Sequence, residues 1–224
     1  GWPWFAGGPD NRFITQYIVT GFGRLKKLGV QDPTGRVGDM ISKALYYLDE
    51  RMQEDYHQLK KFKVDLSKKQ IGATQIQYLF ARSYFPEKEL DRRYTEAYTY
   101  YSGQAKTYWN TESMMMRAMI ALIFQRSNEV NTAQLIVRSL GENAIRHEEL
   151  GMYWKQNNSY FWYDAPIETQ ALMIEAFHEI SSDKKAVEDM QVWLLKNKQT
   201  NDWKTTKATA DACYALLMQG ITWL

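Results

Sequence analysis

Pro166-Ile-Glu-Thr-Gln-Ala-Leu-Met-Ile-Glu-Ala-Phe-His-Glu-Ile180 is the stretch on which the fold turns. Ile167, Ala171, Leu172, Met173, Ile174, Ala176 and Phe177 leave it almost no polar face. A helix that is apolar nearly all round is buried on every side. Asp164 is placed to cap it, and Pro166 and Glu168 suit its first turn. The next segment, Asp183 to Lys196, reads differently. Its apolar residues Ala186, Val187, Met190, Trp193 and Leu194 fall at i, i+1, i+4, i+7 and i+8, with Lys and Glu on the other face. Ser182 or Asp183 caps this helix. Lys207 to Met218 returns to the first type, with Ala208, Ala210, Ala212, Cys213, Tyr214, Ala215, Leu216 and Leu217.

The alternation runs back through the chain. Inner, apolar helices are expected at 12–28, 70–84, 111–126, 166–180 and 205–219, and outer, amphipathic ones at 37–62, 88–106, 130–140 and 183–197. Helical hairpins repeated in this way mark a helical array. Aromatic turns precede several inner helices: Trp2-Pro3-Trp4-Phe5, Tyr108-Trp109, Phe161-Trp162-Tyr163 and Trp203. Gly29 and Gly220 stand where helices end. Glu149 to Trp154 and Ser159 to Tyr163, joined by Gln156-Asn157-Asn158, predict one short β-hairpin. No Pro-, Gly- or Ser-rich linker divides the chain, so residues 1–224 read as a single all-α domain. Hairpins of this kind close into a ring or stack as an open superhelix. Strongly apolar inner helices favour the ring, an α/α toroid. Ile174 and Leu216 are expected to be buried, and Lys184 and Lys196 exposed.

Composition narrows the function. Hydrophobic residues are 45% of the chain, which excludes disorder, and 28 Lys+Arg against 26 Asp+Glu give no strongly basic or acidic field. Lys60-Lys61-Phe62-Lys63 and Lys68-Lys69 read as solvated helix ends, not a nucleic-acid surface. No apolar run approaches the roughly 20 residues that span a bilayer. Cys213 is the only cysteine, so there is no internal disulfide and no cysteine-rich metal site. The opening Gly1-Trp2-Pro3-Trp4-Phe5 reads as the middle of a longer protein.

These stretches resemble the thioester-domain toroid of the α2-macroglobulin and complement-like family. Ala165 to Phe177 is similar to that family's inner helix after an aromatic turn. Val192-Trp-Leu-Leu-Lys-Asn-Lys-Gln-Thr-Asn-Asp-Trp203 is similar to its "W-L-x-x-x-Q, small loop, aromatic" turn. Lys204 to Leu216 resembles its "S/T-T-x-x-T-x-x-A-L-x-A-L" helix. Gly1-Trp-Pro-Trp-Phe-Ala-Gly-Gly8 with Ile14-Thr-Gln-Tyr-Ile-Val19 resembles the "G-G-W-x-W-F … T-x-x-V" segment of bacterial members. The resemblance covers most of the chain in the same order; residues 45–105 match in pattern alone. It implies a non-catalytic toroid domain of an exported protein, periplasmic or at the cell surface, that takes part in protease trapping. A protease cuts a bait region, the molecule changes shape and this domain moves. The implied partners are neighbouring domains of the parent protein and, through it, proteases. The family's thioester joins a Cys and a Gln of a C-x-E-Q motif. No such motif occurs here, and Cys213 is followed by Tyr214-Ala215-Leu216, so no catalytic, cofactor-binding or metal-binding residue is carried over.

Cys213 in a small-residue helix reads as a buried, inert thiol. Asp211-Ala-Cys213 resembles the Asp-x-Cys zinc ligands of protein prenyltransferases, but no His follows it. His57, His147 and His178 are too scattered for a metal site. Glu175 and His178, at i and i+3, read as a helix-end ion pair. The competing function is a toroid enzyme acting on glycans or terpenoids, with Asp164, Glu168 and Asp202 as the carboxylates of an aromatic cleft. Finally, helix 12–28 carries Phe13, Ile14, Tyr17, Ile18, Phe22 and Leu25 as a wide stripe. Part of it should lie uncovered at the edge of an incomplete ring, where copies of the chain associate or a cleft opens, the edge being a cut surface and not a ligand site.

Overall fold

The computed structural model describes residues 1–155, 165–200, 203 and 205–218, with 199 and 200 described by backbone alone. It is an all-α fold with a small β-hairpin. Contacts group the chain into two compact units, Gly1–Tyr108 and Trp109–Leu224, inside the stretch read as one domain.

The first unit holds α1 (Arg12–Lys27), α2 (Arg36–Lys61), α3 (Ala73–Ser83) and α4 (Thr95–Tyr108). α1 lies against α3 as an inner pair, while α2 packs on both and on α4. α2 buries Ile41, Ala44, Leu45, Leu48, Met52 and Tyr56, the three-to-four spacing of one helix face. The outer helix expected from residue 88 starts later, at Thr95. Asp91 accepts from the Arg93 backbone N–H and turns Arg92–Tyr94 into a short 3-10 segment instead.

The second unit holds α5 (Met114–Arg126), α6 (Val130–Glu142), α7 (Pro166–Ile180), α8 (Lys184–Thr200) and α9 (Thr206–Leu217). α7 packs between α5 and α9, with α6 against α5 and α7, and α8 against α7 and α9. Every residue from Ile167 to Phe177 is buried, as the apolar reading of this helix requires. Side chains cap several helices of both units, and the Asp183 cap of α8 is one that the sequence predicts. Asn11, Ser113 and Thr205 accept from the N–H three residues on, and Asp183 accepts from Ala186. Pro166 opens α7 with Ala165 as the residue before it; Asp164 lies outside the described residues, as does Gly220.

Three helices end alike. After α1, α2 and α5 the chain turns back with a 6→1 bond: Val30 N–H to Leu25 O at 3.1 Å, Val64 to Leu59 at 3.0 Å, Glu129 to Phe124 at 2.8 Å. The turn needs one left-handed residue. That residue is Gly29 in the first case, but Lys63 (φ 51°) and Asn128 (φ 64°) in the others.

The hairpin sits upstream of its expected place. β3 (Ile145–His147) pairs antiparallel with β4 (Gly151–Tyr153), so the stretch read as a first strand contains the turn and the return strand. The turn falls there because Gly151 (φ +78°) reverses the chain, and because His147 Nδ1 accepts from Glu149 and Leu150 N–H at 3.2 and 3.3 Å. The second expected strand, 159–163, lies outside the described residues. A further two-residue pair joins β1 (Trp2–Pro3) to β2 (Asp10–Asn11).

Ile174 is buried and Lys184 exposed, as expected. Leu216 and Lys196 are half-buried instead. Leu216 lies beside α9's exposed face, and the Lys196 ammonium folds back to donate to the Glu149 carbonyl at the hairpin turn.

Two substitutions test this backbone. Lys63→Gly should stabilise the protein by about 0.5–1 kcal/mol, because glycine adopts the left-handed region without Cβ strain. Gly151→Ala should do the opposite. Its Cβ would meet the Asp189 carbonyl oxygen at 2.1 Å, and its φ is already positive, so a loss of about 2 kcal/mol or more is expected. Urea midpoints of the two variants check both signs.

Candidate functional site

Buried charge in an inner helix is where chemistry would be sought, because it costs free energy unless it is paired. The second unit has two such clusters. At the start of α7, Glu168 is buried; of the three carboxylates proposed for an aromatic cleft it is the one described, since Asp164 and Asp202 lie outside the described residues. The Lys207 ammonium on α9 stands 3.5 Å from Glu168 Oε1 and 3.1 Å from Asp211 Oδ2. Asp211 is buried too. A general acid and a general base must face a common reacting atom. Glu168 and Asp211 face a common ammonium.

The other cluster lies towards the C-terminal end of α7. Arg126, at the last turn of α5, places Nη2 at 2.7 Å from Glu175 Oε1 and 2.6 Å from Glu179 Oε1. Its Nε donates to Glu179 Oε2 at 3.1 Å, which makes that pair a fork. The Tyr214 hydroxyl of α9 adds a bond to Glu175 Oε1 at 3.3 Å. Three inner helices therefore meet on one fully buried carboxylate. The expected Glu175–His178 pair is corrected by this geometry. One turn of helix separates the two, and α7 rotates Glu175 inward to Arg126 and leaves His178 exposed.

In the first unit, Asp49 on α2 accepts from the Tyr78 hydroxyl at 2.6 Å and pairs with Arg82 at 3.2 Å, both on α3. Burial pushes the Asp49 carboxyl up to about 6, against the lowering pull of the Arg82 guanidinium and the Tyr78 bond. Burial, with the nearby Asp49 charge, also holds the Tyr78 hydroxyl well above its ordinary range.

Cys213 is exposed, which corrects the expectation of a buried thiol. The buried face of α9 is Ala208, Asp211, Ala212, Tyr214 and Ala215. Thr206, Thr209, Ala210, Cys213 and Leu217 lie on the opposite side and are exposed. Composition gave an all-round apolar helix; packing among the described residues covers one side of it. His57 bonds Gln53 on the outer face of α2, and His147 serves the hairpin turn. Among the described residues no three His, Cys, Asp or Glu side chains gather as a metal site. None of their helices is long and apolar enough to cross a membrane.

The clusters of Arg126, of Lys207 and of Arg82 were not anticipated from sequence. The available signal was a charge inside an otherwise apolar inner helix, as at Glu168, Glu175 and Asp211. No known protein-family model matches the chain, and no curated protein matches it significantly.

Asp49 gives this region a pH signature. A carboxyl whose folded pKa is raised binds a proton more readily folded than unfolded. Its contribution to stability is therefore fully present below about pH 4 and is lost as pH rises through about 6. Asp49→Asn should remove that dependence. Relative to wild type, the variant should gain about 2–3 kcal/mol between pH 4 and pH 7, since the carboxyl is raised from 3.8 to about 6 and one pKa unit is about 1.4 kcal/mol. Urea titrations of both proteins across that range provide the comparison.

Proposed function

We propose that the chain is a non-catalytic helical-hairpin domain, of α/α-toroid type, within an exported α2-macroglobulin-like protein that traps proteases by changing shape. The observation that carries this reading is the use of buried charge. Glu168 and Asp211 share Lys207, Glu175 and Glu179 share Arg126, and Asp49 holds Arg82. Each set joins two or more helices inside one unit, as suits a body that moves as a whole. The exposed Ala210, Cys213 and Leu217 side of α9 and the half-buried stripe of α1 add apolar surface for neighbouring domains of the parent protein or for a second copy. In α1 the stripe is Phe13, Ile14, Tyr17, Ile18 and Phe22, with Leu25 exposed. The sequence resemblance supplies the extracytoplasmic setting and the protease partner.

The second reading, a toroid enzyme acting on glycans or terpenoids, rests on the buried carboxylate Glu168, named from the sequence, and on Asp211, buried across Lys207 from it. Incubating the parent protein with a panel of proteases separates the two. Mass spectrometry should find the parent cut within a short region and the protease retained with it. An intact parent that instead turns over a polysaccharide or prenyl substrate, and loses that activity in Glu168→Gln or Asp211→Asn, would establish the enzyme.

A further inference from the structure

The first unit contains a cleft of about 520 Å³ at the junction of the α1 C-terminus, the α2 N-terminus and the turn after α3. That volume is within the ordinary range of small-ligand sites. Phe85 and Ile41 are buried at its floor, with Phe22 half-buried. Leu25 and Val30 form one wall and are 45% and 57% exposed, a high figure for aliphatic side chains.

The walls are fixed by their own hydrogen bonds. Leu25 and Val30 are the two ends of the 6→1 bond that closes α1. Opposite them, Asp32 Oδ1 accepts from the Thr34 N–H and hydroxyl, and Oδ2 from the Val37 N–H at 2.8 Å, which locks the loop onto α2. The third wall is held by Arg82 Nη2 on the Lys88 carbonyl at 3.1 Å. A site shaped before its ligand arrives loses less entropy on binding.

The rim carries two cations, Lys26 and Lys88, and two carboxylates, Asp32 and Glu87, which are held differently. Lys26 is paired with Glu87 at 2.7 Å. The Asp32 carboxylate is fixed in its turn, whose hydrogen bonds keep it ionised. Lys88 is half-buried, and its ammonium donates to the Ser42 hydroxyl at 2.9 Å with no contact ion pair among the described residues. An apolar floor with one such cation at its edge matches an apolar body with one anionic head. The geometry points to a small-ligand site for a medium-length aliphatic carboxylate, its chain on Phe85, Ile41 and Leu25 and its head on Lys88.

Decanoate and the uncharged 1-decanol are the probes, titrated into the 224-residue chain well below micelle-forming concentrations. Calorimetry measures affinity, and methyl NMR of Ile, Leu and Val locates binding. The expected result is saturable decanoate binding with shifts at Leu25, Val30 and Ile41. Lys88→Gln should weaken decanoate by about three- to tenfold, the worth of one partly exposed charge contact, and leave decanol unchanged. Val30→Asp, an exposed wall position, should abolish binding of both while the methyl spectrum of the core stays native. Absence of saturable decanoate binding, shifts spread away from the cleft, or a Lys88→Gln variant that leaves decanoate unchanged or weakens both probes alike would overturn the assignment.

Discussion

The side-chain amide of Gln170 donates one proton to the Met152 carbonyl at 2.9 Å and the other to the Met190 carbonyl at 3.1 Å. It thereby ties inner helix α7 to strand β4 and outer helix α8 from a buried position. The constraint behind it governs the rest of the fold. A helix enclosed on every side has nowhere to put a polar group except against another element of the protein. A long polar side chain in such a helix can therefore specify a neighbour. Gln191 reaches the Ala215 carbonyl of α9 at 3.0 Å, and the Trp154 indole reaches the Leu140 carbonyl at the end of α6 at 2.8 Å. In the first unit Gln16 reaches the Thr74 carbonyl at 2.9 Å. Gln104 accepts from Gln70 N–H and donates to Leu66 and Lys68 carbonyls, which folds the 62–72 loop onto α4. Apolar burial supplies most of the driving force, but it is non-directional. The glutamines set which helix lies beside which.

Charge obeys the same constraint at higher stakes. Moving a carboxylate from water into a helix interior costs several kcal/mol even after relaxation, and its pairing partner returns that only with good geometry. Arg126 supplies it: a fork on Glu179 and a short contact to Glu175, with Tyr214 completing the buried carboxylate. Asp49 shows the balance falling the other way. Even with Arg82 at 3.2 Å, burial prevails and the carboxyl is less acidic than in water. Such pairs are weak evidence for net stability. Each does require particular helices to be adjacent, so each rejects other packings of a chain whose inner helices are compositionally alike.

Much of this was legible because helix type is written in periodicity. The difference between a helix apolar all round and one apolar on a stripe separated α7 from α8, and α5 from α6, with boundaries close to those observed. A cap made the start of α8 readable at Asp183, where one side chain satisfies one local donor. What escaped was non-local. Nothing in the order of residues says that Glu175 finds Arg126, 49 positions away, rather than His178 on the next turn. The burial of Cys213 failed for a related reason: composition states what a helix can bury, not how many neighbours it receives. In α1 the inward face is Thr15, Gln16, Val19, Thr20, Gly23 and Arg24, more polar than the stripe beside it. An apolar count assigns that face to solvent, and only its bonds to Asn11, Thr74 and the helix's own carbonyls show why it turns inward.

The exposed side of α9 follows from that last point. A helix of the inner type is built for lateral neighbours on both flanks, and α7 has them in α5 and α9. α9 has α7 and α8 on one side, while Ala210, Cys213 and Leu217 look outward at a spacing of three and four residues. Small residues at that spacing let another helix approach closely, whereas a face selected for solvent would carry Lys and Glu, as α8 does at Lys184, Lys185 and Glu188. The composition of α9 thus describes contacts that its packing among the described residues does not supply. Such a face is stabilised by whatever covers it. Its apolar area would contribute to whichever arrangement hides it, by roughly 25 cal/mol for each Å² removed from water.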